Sequence, residues 1–559
     1  MIKKKWTANE ENPALLERLV SETGYDEGLI RILINRKNKS KEDIKDFLNP
    51  SLDNLFDPFL LNDMDKAVER INTALLNKEK IFIYGDYDVD GVTASSLLYK
   101  ALKSKDALVE IYIPDREGEG YGLNSMAVER IKELGGSLII TVDCGITSIE
   151  EAKRAKELSV DMIITDHHTC PEALPECVAV INPKRKDSTY PFFELCGAGV
   201  AFKLCSALGI INDELLAIAA IGTVADIVPL VSENRIIAYY GIEKLREGIL
   251  ENINILTSVA GSDYKNINAR ALGFTIAPRI NAAGRMASAK EAVEFFITKD
   301  NERMKELAVY LDSLNEKRQS CEKEILEEAR EKIIKNSENN RNVLVLWGEN
   351  WHEGVIGIVA SRLTEEFYKP CVLISVNNGI AKGSSRSIKG FNIYDALSGV
   401  SDLLIKFGGH ELAAGLSLYE KDLEAFKEKI NENASEIFKK ESFSPEITLD
   451  CELKGKNINE EYFEFLKRLE PFGMGNPEPV FLIKNAVVKN AFSFSMDKHM
   501  RLNVLKDGKD LENVGFGLGK YAPSLRGGDK LHIAATLGIN EYKGIRRLQG
   551  VIRDIKLVK

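Results

Sequence analysis

At 559 residues the chain is too long for a single hydrophobic core and requires several domains. Its 44% hydrophobic and 29% charged residues describe an ordinary globular protein, and no run of about 18 uncharged apolar residues offers a membrane span. The net charge of −10, taken whole, argues against nucleic-acid binding, yet from residue 476 onward 15 Lys/Arg face 8 Asp/Glu, so the tail carries +7 and the remainder −17.

Residues 1–64 read as a polar helical segment, with Pro50 and Pro58 marking the approach to the first strand. The start, Met1–Trp6, is basic but leads into polar residues rather than the apolar centre of a secretory signal. Over 65–235, β-rich runs at 81–84, 109–113, 138–142, 161–165 and 178–181 alternate with helical stretches at 92–103, 125–134 and 148–158. That alternation predicts a parallel sheet flanked by helices. An apolar helix at 214–224 runs into Asp226. Residues 236–340 read as a helical connector. Its stretch 290–335 lacks Gly and Pro and spaces Leu307, Leu311, Leu314 and Ile325 helically, which predicts one or two long exposed helices.

A second, smaller α/β domain is expected at 341–440. It has strands at 343–347 and 371–376, helices at 354–367 and 392–406, a Gly/Ser-rich turn at 383–387 and a turn at Gly408-Gly409-His410. Residues 441–559 are β-rich and Gly-punctuated, as a small antiparallel barrel would be. The eight cysteines fall at irregular spacings with no Cys-x-x-Cys, mostly in apolar segments, as reduced thiols of a cytoplasmic protein do.

The chemistry begins where the first strand ends. Gly-Asp-Tyr-Asp-Val-Asp-Gly at 85–91 follows Ile81-Phe82-Ile83-Tyr84, so Asp86, Asp88 and Asp90 crowd one strand end. Like charges that close stay ionised only beside cations, which makes the loop a site for hard divalent metals. An EF-hand loop that begins at Asp86 needs Glu at its twelfth position; Leu97 stands there. The run 138–142 ends in Asp143, the run 162–165 in Asp166-His167-His168, and the helix at 214–224 in Asp226. Parallel neighbours line such ends along one sheet edge, where α/β proteins bind ligands. Carboxylates with one or two imidazoles suit manganese or magnesium. A zinc site would have to recruit Cys170 and Cys177, which are not at a finger's spacing.

The segments DYDVDG, VDCG, TDHH and VADIVPL resemble the signature motifs of the DHH phosphoesterases, and GSSRS with FGGHELAAG resembles their accessory DHHA1-type domain. PRINAAGRM at 278–286, IPDREGEGYGL at 113–123 and the barrel-like tail resemble the family's single-strand-specific 5′→3′ DNA exonucleases. The implied fold is α/β. A parallel-sheet catalytic domain and a long helical connector would precede the DHHA1-type domain and an oligonucleotide-binding (OB-like) β-barrel.

The resemblance implies that Asp86, Asp88, Asp143, His167 and Asp226 hold two divalent cations, Mn2+ or Mg2+. Asp143 would bridge the pair, Asp88, His167 and Asp226 would complete one site, and Asp86 would serve chiefly the other. Phe82 stands where many small DHH phosphatases place a further His, so the first metal would have fewer protein ligands. Asp90 would orient ligands or water, and His168 would hydrogen-bond a phosphate oxygen or assist proton transfer. Arg116, Ser384 and Arg386 would form a pocket for the 5′-terminal phosphate with His410 nearby, and Arg279 and Arg285 would contact the incoming strand.

In the tail, Phe481, Phe492, Phe494, Phe516 and Tyr521 interleave with Lys484, Lys489, Lys498, Arg501 and Arg526, a pattern that stacks bases and follows a backbone. No more than two or three of these aromatics are expected to touch DNA, the others being core. The implied function is two-metal hydrolysis of single-stranded DNA from the 5′ end to mononucleotides, in recombination and repair, beside a single-strand-binding protein and a helicase. The rivals are a DHH phosphodiesterase for short oligoribonucleotides or cyclic dinucleotides, and a non-catalytic nucleic-acid scaffold.

Overall fold

The computed structural model describes residues 4–9, 12–114, 122–542 and 545–558. The chain forms two compact units: Met1–Trp6, Arg285–Ala287 and Ser313–Ile447 make one, and Thr7–Gly284, Ser288–Asp312 and Thr448–Lys559 the other.

In the larger unit, β1 (Lys80–Gly85), β2 (Leu108–Tyr112), β3 (Leu138–Val142), β4 (Asp161–Thr165) and β5 (Ala179–Ile181) run parallel in the order β2-β1-β3-β4-β5. Phe82, Ile139 and Ile164 pack on one face against Val128, Ile131, Ala152 and Ala155 of the helices Ser125–Glu133 and Ile149–Glu157. Burial on both faces is why these strands read as unbroken apolar runs. Three further helices carry site residues: α1 (Val89–Lys103), α2 (Gly197–Ala207) and α3 (Asp213–Ala225). Helix α1 starts earlier than its apolar pattern suggests, because Asp88 caps it, its carboxylate accepting from the Gly91 amide at 3.0 Å.

The charged stretch 290–335 is two helices, Lys290–Ile297 and α4 (Asn301–Lys335), broken where Asp300 accepts from the Glu302 amide at 3.0 Å. Its apolar face is not exposed as expected: Leu307, Leu311, Leu314 and Ile325 are buried.

The smaller unit has its own five-stranded sheet, in the order 406–410, 413–419, 380–386, 371–377 and 344–349. Strands β6 (Leu344–Glu349) and β7 (Cys371–Asn377) are parallel, flanked by helix α5 (Glu353–Phe367), while β8 (Ile380–Arg386), β9 (Lys406–His410) and β10 (Ala413–Tyr419) add antiparallel. Three expectations fail here. Residues 383–386, expected to turn, lie in the inner strand β8. The Gly408-Gly409-His410 segment closes β9, with the hairpin turn at Glu411-Leu412. The helix expected over 392–406 stops at Ser398, before a 3-10 turn at Ser401–Leu403. Small residues locally signal a turn; here they let strands approach. A Cβ on Gly383 would sit 3.0 Å from Leu416.

The tail forms a closed barrel of β11 (Phe481–Phe494), β12 (His499–Lys506), β13 (Lys509–Gly515), β14 (Lys530–Tyr542) and β15 (Ile545–Leu557). The strands run in the order β11-β12-β13-β15-β14, and β14 pairs back to β11. β13 and β15 are parallel, so the barrel is not wholly antiparallel. The N-terminal residues are helical as expected except for a short strand at Lys5–Ala8, and they share the barrel's core. Leu19, Ile30 and Phe47 pack with Phe481, Leu502 and Ile533, and a buried ion pair, Arg36 Nη1 to Asp450 Oδ1 at 2.7 Å, ties the two. Among the described residues no helix is long and apolar enough to cross a membrane.

Candidate metal centre and nucleic-acid interface

Strand register builds the acidic cup. Gly85 pairs with Val142 and Val142 with Thr165, so the next residues, Asp86, Asp143 and Asp166, emerge side by side from the carboxyl edge. Asp143 then turns sharply (φ +60°), a left-handed backbone that Asp tolerates better than most residues. From the far side α3 ends at Asp226. His167 Nε2 lies 3.1 Å from Asp143 Oδ1, 3.7 Å from Asp226 Oδ2 and 3.9 Å from Asp90 Oδ2.

Three overlapping groups have ligand atoms within 4.8 Å of one another: Asp86, Asp88 and Asp143; Asp143, His167 and His168; and Asp90, His167 and Asp226. The five expected ligands therefore share one cup. Asp88 clusters with Asp86, whereas the resemblance places it with His167 and Asp226. Phe82 is buried in the sheet.

Burial is what makes these charges costly. It pushes the Asp86 carboxyl up to about 7, helped by the charge of Asp88, and Asp226 up to about 8, helped by Asp90 and Asp88. Burial raises Asp143 and Asp90 too, and holds His167 below its ordinary value. Asp143 Oδ1 and both ring nitrogens of His167 find no hydrogen-bond partner among the described residues. Buried polar atoms are seldom left so, and oxygen with imidazole donors of this kind suit a divalent cation.

Asp90 is otherwise engaged. Its oxygens accept from the amides of Gly197 at 2.6 Å and Ala198 at 2.8 Å, docking the start of α2. A Cβ on Gly197 would meet that of Asp143 at 2.5 Å, so this approach requires glycine. His168 is aimed by a residue missing from the expected site. The Asp166 carboxylate meets His168 Nδ1 at 2.7 Å and accepts from the amides of Ile146, His167 and His168. Burial disfavours the His168 imidazolium, but Asp166 outweighs it and holds the ring at about 8. The signal for Asp166 was its strand-end position beside Asp143. Lys184, half-buried beyond β5, is a second overlooked group; its charge opposes the rise at Asp226.

The expected phosphate contacts separate. Arg116 lies outside the described residues. Ser384 and Arg386 alternate on β8 toward α5, where a Cβ on Gly357 would meet Ser384 Oγ at 2.8 Å and Arg386 Nη2 at 3.2 Å. Arg386 donates to Ser384 Oγ at 3.2 Å and to the Ser385 carbonyl at 2.8 Å, and no carboxylate pairs with it among the described residues. Arg386 pairs with Ala413 and Ala413 with His410, so Arg386 and His410 stand in one row of the sheet. Arg279, in contrast, is committed to Asp312 at 2.8 Å and the Thr275 carbonyl at 2.7 Å, and Arg285 donates to the Gly354 carbonyl at 3.0 Å.

On the barrel Phe481 is core, whereas Phe516 is 61% and Phe492 45% exposed. Arg501 lies 5.7 Å from the Phe492 ring and 5.9 Å from Phe494, and His499 bridges Phe494 and Phe516 at 5.4 and 5.3 Å. Lys489 is paired with Asp510 at 2.9 Å, while Lys484, Lys498 and Arg526 are exposed.

Three family models match the chain: the DHH family N-terminal domain over residues 80–223, the DHHA1 domain over 340–436 and the RecJ OB domain over 449–554. The single-stranded-DNA-specific exonuclease RecJ of Bacillus subtilis (strain 168) is 39% identical over 99% of this chain and 71% of the relative. Its counterpart in Escherichia coli (strain K12) is 33% identical over 89% of this chain and 90% of the relative. The crystal structure of RecJ from Thermus thermophilus in complex with Mn2+ superposes with a TM-score of 0.85 at 29% identity, covering 99% of this chain and 80% of that one. The same protein's Mg2+ complex gives 0.80 at 28% identity, covering 99% and 79%.

Proposed function

Since the chain belongs to the RecJ family of the DHH phosphoesterases, we propose that it is a metal-dependent exonuclease that hydrolyses single-stranded DNA from the 5′ end and releases mononucleotides. The observation that carries this reading is the buried cup in which Asp143 Oδ1 and His167 Nε2 face one another and other carboxylates, and neither they nor His167 Nδ1 make a hydrogen bond among the described residues. We assign Asp86, Asp88, Asp143, His167 and Asp226 as the ligands for two cations, Mn2+ or Mg2+, a reading supported by their clustering in one cup; the Thermus relative binds each of these metals. Bound there, the cations supply an activated water and neutralise phosphate charge.

The chain's own groups do the rest. Asp90 fixes the start of α2 against the cup, and Asp166, meeting His168 at Nδ1, aims the other ring nitrogen at a phosphate oxygen. Arg386 with Ser384 and His410 takes the terminal phosphate, a reading supported by a half-buried guanidinium with no acid beside it among the described residues. Arg116 belongs to the same reading; for Arg279 the Asp312 ion pair favours a structural role over a strand contact. Phe492, Phe494 and Phe516 stack bases.

The domain limits at 64, 235, 340 and 440 are part of this proposal. The segments matched over 80–223 and 449–554 lie within the corresponding ranges, and the 340–436 segment overlaps its own to within one residue. The setting we propose is the cytoplasm, in recombination and repair with a single-strand-binding protein and a helicase. A dinucleotide phosphodiesterase would have no use for the barrel's aromatic face, nor a scaffold for unpartnered buried ligand atoms. Single strands and duplexes labelled at either end, incubated with Mn2+ or Mg2+, test the function. The 5′ label should leave first as mononucleotide from the single strand alone; earlier release of the 3′ label, or faster turnover of a dinucleotide, would refute it.

A further inference from the structure

The arginines of the motif PRINAAGRM pair within the protein, and its other residues reach the acidic loop. The helix Ala277–Met286 carries Pro278 in its first turn, directly after a π-helical turn at Leu272–Ile276 in which the Ala277 amide bonds the Leu272 carbonyl. Proline supplies no amide and clashes with the preceding turn, and the wider π turn relieves that clash. One inserted residue also rotates everything downstream by about 100°. The rotated helix presents Asn281 and Gly284, three apart and so on one face, to the segment Tyr87–Val89. The Asn281 carboxamide oxygen accepts from the Val89 amide at 3.2 Å. A Cβ on Gly284 would lie 2.4 Å from the Tyr87 carbonyl oxygen.

We propose that Asn281 and Gly284 are positioning residues of the metal centre, clamping the backbone on both sides of Asp88 so that the Asp86 and Asp88 carboxylates face one cation. The physical need is specific. Helix α1 is capped by Asp88, whose oxygen already satisfies the Gly91 amide. A carboxylate that both caps a helix and ligates a metal has little left for the neighbouring orphan amide of Val89. Asn281 supplies that acceptor from another element, and an amide donor requires the oxygen end of the carboxamide to face it. Gly284 lets the clamp close to van der Waals contact, which no side chain permits.

This inference rests on the metal reading above, and calorimetric titration of Mn2+ into the metal-free full-length protein separates the two. Asn281→Ala should bind Mn2+ about 10–100-fold more weakly, the usual cost of losing support behind a ligand. Gly284→Ala should lose at least as much, while Asn281→Asp, which keeps the acceptor, should restore wild-type affinity or better. Thermal unfolding in chelator checks that each variant is folded, and at saturating Mn2+ the nuclease kcat of Asn281→Ala should return to wild type. Wild-type Mn2+ affinity in folded Asn281→Ala and Gly284→Ala, with binding lost in Asp143→Asn, would overturn the clamp alone. Wild-type affinity in Asp143→Asn as well would overturn both.

Discussion

At the carboxyl edge of the parallel sheet, carboxylates and an imidazole are buried with ligand atoms lacking partners among the described residues. On the barrel, Phe492 stands 45% exposed beside Arg501 and Phe516 61% exposed beside His499. Both depart from ordinary burial, in opposite directions. Burying like charges costs free energy unless something of opposite sign arrives, so the cup is selective for cations and rigid about geometry. Leaving aromatic rings in water costs far less, and their faces accept any base, so the barrel surface is tolerant of sequence. Chemistry needs the first kind of site and grip the second.

The comparison can be broken at the cup first. Asp143→Ala removes the carboxylate common to two of the ligand groups and should lower kcat on single strands roughly a thousandfold or more, as measured by mononucleotide release. Binding of DNA to the barrel should survive. Loss of both together would mean that the two regions are not independent.

Removing the cations should expose the cost of the buried charges as a pH effect. In chelator, Asp86 and Asp226 titrate at about 7 and 8 in the fold against an ordinary value of 3.8. A raised carboxyl contributes stability below its unfolded pKa and loses it as pH rises through the folded one. His168, raised to about 8 from 6.5, acts in the same direction. The melting temperature of the stripped protein should therefore fall between pH 5 and pH 8, and the gap to the Mn2+-loaded protein should widen. A gap independent of pH would show that the cup is not where the metals bind.

The smallest effect belongs to the barrel. Phe516→Ala should weaken single-strand affinity roughly tenfold, a stacked base being worth about 1–3 kcal/mol, with little change in kcat at saturating DNA. A change in kcat without one in affinity would place Phe516 in the chemistry and erase the contrast.

The strands at 138–142 and 161–165 lie where their apolar runs put them, because a strand buried on both faces has a local signature. The segments 383–386 and 408–410 defeated local reading, since Gly and Ser mark turns unless a partner strand is waiting, and that partner lies elsewhere in the chain. The same limit hid Asn281, an unremarkable helical Asn until its helix docks 192 residues away in sequence on Val89.

From its amino acids alone the chain declared a parallel sheet with acidic strand ends, a preference for hard cations and a basic, aromatic tail, all matters of residue type and short-range spacing. Only the folded molecule decided that strand register aligns Asp86, Asp143 and Asp166, that Asp90 is spent on the amides of Gly197 and Ala198, and that Arg279 is paired with Asp312. Those outcomes depend on which elements meet, and a side chain's partners are chosen by packing across the fold, which local sequence does not encode.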